Sequence, residues 1–234
     1  MKTKSKALLL ALCAVLLVAA SVLGTLAYLT SQDKVTNTFS VGSVVITMDE
    51  FDYDKDSNTE DNITVDEETR DKANSYKLLP GHEYRKAPIV RVDKDSEDCY
   101  LFVIVKNEIA AIESDAEGDK NVAAQMAEKG WNQVGKITDD TTLYVYVGTA
   151  EDATNPLAVS ANANIPVFTT FKIDGDKVVN VPEGETAPAG KLDLSDYAGK
   201  TITVTAYAVQ KDGFENKNAS EIWNTAFGTP ALQG

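Results

Sequence analysis

His82 is the only histidine in the 234 residues. It stands in Gly81-His82-Glu83, the opening of the H-E-x-x-H spacing by which a helix offers two imidazoles to zinc and a glutamate to its water. The second imidazole would fall at residue 86, which is Lys86, so the motif fails at a required ligand. His82 then reads as a residue of the Pro80-Gly81 turn. The two cysteines are Cys13, in the apolar leader, and Cys99, beside the apolar run of residues 100–105. A three-ligand zinc site would have to be built mostly from carboxylates, which is uncommon. Asp52-x-Asp54-x-Asp56 sets alternate oxygens at the spacing of a calcium loop, yet the sixth position is Ser57 instead of the turn-making glycine and the twelfth is Ile63 instead of the bidentate glutamate. A weak calcium site, weighed against a plain solvated acidic loop, is the most this triplet offers, and no other cofactor is indicated. No nucleophile elbow, glycine-rich phosphate loop or paired-cysteine motif is present. Catalysis is therefore not expected.

The chain begins with a basic stretch holding Lys2, Lys4 and Lys6 and continues through residues 7–20 without a charge. That is the order of an export signal. Thr25 and Ala27 supply small residues at the positions a signal peptidase inspects, which places the cut between Ala27 and Tyr28. The rival is an uncleaved anchor, because the apolar stretch approaches the roughly 20 residues that span a bilayer. Cleavage takes away three lysines and no acid, leaving 19 basic against 36 acidic residues and a net charge of −17 in place of −14. Such a surface repels nucleic acid and anionic lipid, so the membrane is a partner only before cleavage and the processed chain is expected outside the cell. Cys99 has no internal disulfide partner once the leader is gone. A buried thiol at a strand edge and an intermolecular link are its two readings.

These features require elements to carry them. Residues 38–49 alternate with a change of parity at Gly42-Ser43: Phe39 and Val41 share one face, then Val44, Ile46 and Met48 take over, as across a β-bulge. Residues 49–72 carry eleven acids against three bases and too little apolar surface to order strongly, so they read as an exposed loop. Residues 87–92 form a strand, and residues 100–107, apolar on both faces, a central one. Residues 142–148 alternate Leu143, Val145, Val147 against Tyr144, Tyr146. Residues 165–173 read as one strand that Asp174-Gly175 turns into a hairpin with residues 177–181. In residues 201–210, Ile202, Val204, Ala206 and Ala208 share a face. Two short helices interrupt the strands: one capped by Asp119 and ended by Gly130, the other capped by Asn218 with Glu221 three residues on, and stopped by Gly228 and Pro230. The expectation is an all-β chain, a β-sandwich with two short helical insertions, divided into a signal (1–27), an N-terminal strand (28–48) and a domain (49–234) containing the acidic loop.

The stretch GTLAYLTSQDKVTNTFSVGSVVITMD, together with LLPGHEYRKAPIVRV, YLFVIVKNE, IPVFTTFKI and TITVTAYAVQKDGF, resembles the TasA/camelysin (CalY) family of Gram-positive bacteria, whose signals are cut by a dedicated signal peptidase, SipW. The resemblance implies a jelly-roll-like sandwich that self-associates into extracellular matrix fibres, with the N-terminal strand of one subunit completing a sheet of the next. Phe39, Val41, Val44, Ile46 and Met48 would be the donor-strand residues. An ordinary first strand needs the same alternation, so the residues leave both pairings open, as they leave open a monomeric surface or secreted binding module. The family also carries a metalloendopeptidase label, which the missing histidine opposes.

Overall fold

The computed structural model describes Lys6 and residues 11–18, 42–51, 70–150, 153–182 and 184–228. Ala27, Tyr28, Phe39, Val41, Asp52, Asp54 and Asp56 lie outside them. The chain divides into two compact units, residues 1–41 and 42–234. In the first, residues 11–18 are helical with Leu12, Val15, Leu16, Leu17 and Val18 exposed. Among the described residues no helix is long and apolar enough to cross a membrane.

The second unit is predominantly β. Its elements are β1 (Ile46–Phe51), β2 (Arg70–Asp71), β3 (Glu83–Arg85), β4 (Ile89–Val92), β5 (Cys99–Asn107), α1 (Val122–Glu128), β6 (Trp131–Thr138), β7 (Thr141–Tyr146), β8 (Ala158–Val159), β9 (Asn164–Pro166), β10 (Thr170–Lys172), β11 (Val178–Val179), β12 (Leu192–Asp193), β13 (Ile202–Gln210) and α2 (Ala219–Phe227). One sheet runs β2-β1-β4-β9. A second runs β13-β5-β7-β6, with β8 beside the start of β5, and two further sheets of two strands each pair β10 with β3 and β11 with β12.

β5 explains why two cores form. Cys99, Leu101, Val103 and Val105 point into a core shared with Val90 and Val92 of β4. Tyr100 and Phe102 point the other way, into a second core with Leu143, Val145, Ile222 and Trp223 beneath α2. A strand apolar on both faces is thus buried on both, and Cys99 is a fully buried thiol. Its burial, and then the charge of Asp98, pushes the thiol up to about 11. Trp131 ties the sheets together: its Nε1 donates to the carbonyl of Pro166 at 2.9 Å.

Several local expectations change. The first strand starts at Ile46, four residues after Gly42, and runs on to Phe51. Asn121, not Asp119, caps α1, accepting from the Ala124 amide at 2.9 Å. Asp119 instead accepts from the Ser114 hydroxyl and pairs with Lys172. Gly130 does follow that helix, at φ +85°, where its α-carbon face meets the Gly148 carbonyl too closely for a side chain. Residues 165–173 are not one strand: the buried pair Val167 and Phe168 separates β9, on β4, from β10, on β3. The Asp174 turn forms, its carboxylate accepting from the amides of Asp176 and Lys177. Yet β11 leaves it to pair in parallel with β12, so no hairpin results. Asn218 and Glu221 make the expected capping box.

Candidate interaction groove

β13 pairs on one side with β5 in nine consecutive registers, from Ile202 opposite Asn107 to Gln210 opposite Cys99. Along its other side no strand pairs with it among the described residues. A strand in that position presents a row of unpaired amides and carbonyls. The sheet's opposite edge, β6, is broken by two register shifts, between Gln133 and Gly135 and between Lys136 and Thr138. The outer strand β9 of the other sheet is three residues long and ends in Pro166. The long, regular, open edge is therefore that of β13.

Beside it lies a groove of about 1020 Å³ lined by residues of both β13 and β1, two strands that also approach each other. Ile46 and Met48 enter it from β1, Ile202, Val204 and Ala206 from β13, and Leu78, Ile109 and Phe171 from the segments between. The two-residue period of β13 puts Ile202, Val204, Ala206 and Ala208 against the first core and leaves Thr203 and Thr205 in solvent. Tyr76, Tyr84 and Phe171 form an aromatic cluster, with Tyr84 and Phe171 stacked at 5.0 Å and Tyr76 edge-on to Phe171 at 5.2 Å. Tyr76 and Phe171 line the groove.

Charged residues line it too, Asp49, Lys72, Lys77, Asp193 and Lys200 among them, and one charged pair is buried. Lys86 Nζ donates to both carboxylate oxygens of Glu50, at 2.9 and 3.0 Å, and Glu50 is only 3% exposed. The alternation that turns Ile46 and Met48 inward also turns Glu50 inward, and a buried carboxylate requires a partner. That parity, continued two residues past Met48, is the sequence signal for this pair. At the far end of β13, Glu108 accepts from Lys106 and from the hydroxyl and amide of Thr201. Lys106 first, then Thr201, hold its carboxyl well below the usual range, at about 2. This clamp fixes the entry of β13 against β5.

The structure separates the sequence-derived site residues. Val44 precedes β1, while Ile46 and Met48 stand opposite Val92 and Val90 of β4 in their own domain. His82 sits in the turn closed by its own amide on the Leu79 carbonyl at 3.2 Å, its ring against Tyr84 at 4.8 Å. Lys86, at the missing zinc-ligand position, is committed to Glu50. Among the described residues no cluster of three or more His, Cys, Asp or Glu side chains could hold a metal ion. The arrangement offers a partly apolar slot beside the unpaired main-chain edge of β13, which is the requirement for adding a strand. Compared with protein families, curated proteins and solved structures, the chain matches none.

Proposed function

We propose that this chain is a secreted structural protein, a matrix-fibre subunit that self-associates by strand addition once its leader is cut between Ala27 and Tyr28. The observation that carries the reading is the open nine-residue edge of β13 beside a partly apolar groove. An added strand gains main-chain hydrogen bonds and buries every second side chain, each large one contributing on the order of 1.5–3 kcal/mol. The fold that goes with it is a jelly-roll-like β-sandwich, and the resemblance to the TasA/camelysin family supports the same view.

Of the segment 28–48, Ile46 and Met48 are engaged with β4 of their own domain. The part left to reach another copy is residues 28–41, carrying Phe39 and Val41. While the leader holds Tyr28 at the membrane, that segment cannot thread into a neighbour, so processing acts as the assembly switch. Electron microscopy and light scattering on forms beginning at Tyr28 and at Gly42 test this, since both keep β1. Filaments are expected from the first alone. Filaments from both remove the donor segment, and filaments from neither favour the second reading, a monomeric surface module whose ligand-sized groove captures a different molecule.

A further inference from the structure

The side chains that β13 turns toward the groove shrink along the strand, from Ile202 and Val204 to Ala206, and Ala208 continues the same face against the first core. An incoming strand lies beside β13 with its own side chains alternating at the same period. Bulk is then best accommodated next to Ala206, in a groove whose aromatic wall, Tyr76 and Phe171, already packs ring on ring edge-to-face. Next to Val204 a smaller branched side chain fits, and outward positions beside the exposed Thr203 and Thr205 suit small hydroxyl residues.

Residues 38–41, Thr-Phe-Ser-Val, have that composition in one direction only: running opposite to β13, Phe39 meets Ala206, Ser40 meets Thr205 and Val41 meets Val204. In the parallel direction, with Phe39 at Ala206, Val41 would face Ala208 and leave the space beside Val204 to Asn37. Resting on the strand-addition reading above, we infer that β13 accepts residues 37–41 of a second copy antiparallel, with Phe39 seated over Ala206, so that Ala206 sets the register of assembly.

Two processed proteins, one Ser40→Cys and one Thr205→Cys, are mixed during assembly and oxidised. Cys99 is fully buried and leaves the engineered thiols as the reporters. The expected result is a disulfide-linked heterodimer from the mixture, at least tenfold more abundant than that from Ser40→Cys mixed with Thr203→Cys. A companion pair reports on the seat itself: Ala206→Phe is expected to block assembly, and Phe39→Ala in the same chain to restore it. Filaments that form without the Ser40–Thr205 link, or that tolerate Ala206→Phe, overturn the register while sparing strand addition. Absence of filaments from the unsubstituted processed protein overturns both.

Discussion

Glu113 lies in surroundings that oppose its charge. It is 4% exposed, accepts from Asn107 Nδ2 at 2.9 Å and from the Val122 amide at 3.1 Å, and so joins the end of β5 to the first turn of α1. Burial raises its carboxyl above the ordinary value, against the lowering by Asn107, Val122 and the charge of Lys177. A carboxyl raised in the folded state favours folding below its unfolded value near 4.5, and that contribution is lost as pH rises through the folded value. Glu113→Gln removes this linkage and keeps an acceptor for Val122. Thermal unfolding should therefore show the variant gaining on the parent between pH 4 and pH 7, whereas a constant offset would contradict the assignment. The two tryptophans give a second comparison. Trp131 Nε1 has Pro166 as its acceptor, while Trp223 Nε1 is buried without a partner. Trp131→Phe forfeits a hydrogen bond and strands a carbonyl; Trp223→Phe loses only ring area and relieves an orphaned donor. Urea unfolding should find the first costlier by about 1 kcal/mol or more.

Elements buried on one or both faces were legible in the sequence because burial writes a period. β5 reads as central, β7 as Leu143/Val145/Val147 against tyrosines, β13 as a clean alternation, and α2 as a capping box with Trp223 and Phe227 one turn apart, their rings now 4.7 Å from each other. What was not legible depends on partners distant in the chain. β6 hides its strand character behind two bulges and the polar run of Asn132, Gln133 and Lys136. The span 165–173 holds a continuous apolar-aromatic pattern, yet tertiary pairing divides it, since β4 and β3 each take only three residues. The parallel contact of β11 with β12 leaves too short a pattern to announce itself. The groove was invisible for the same reason. Its walls come from residues 46–50, 72–78, 86–88, 109, 171, 180–181 and 193–206, and no local signal records that no strand pairs with the other side of β13. Yet the absence of Lys, Pro or a bulge from Ile202–Gln210 is itself informative, because those are the devices that protect an edge strand.

At the scale of the whole molecule, charge opposes the proposed assembly. With residues 1–27 removed, each copy carries −17, and two such bodies repel before any strand can engage. The attraction of strand addition, main-chain hydrogen bonding plus apolar burial, acts only at contact and responds little to simple salt. Repulsion between exposed charges acts over a Debye length, which shrinks from roughly 20 Å at 20 mM to about 5–6 Å at 300 mM ionic strength. The encounter step is the one that salt controls. Assembly followed by light scattering should therefore show a shorter lag at about 300 mM than at about 20 mM NaCl, and a shorter one again as pH is lowered toward the isoelectric point, which loss of Lys2, Lys4 and Lys6 places below the 4.5 of the full chain. The pH arm is bounded below by the Glu108 clamp on Thr201: a carboxyl held at about 2 stabilises the β13 entry above its unfolded value and releases it only as pH falls toward 2. The clamp thus still holds near pH 4.5, where protonation of other carboxylates has already removed much of the net charge. A lag that lengthens with salt would mean that attraction between the acidic surface of one copy and the lysines lining the groove of another, Lys77 and Lys200 among them, governs encounter instead.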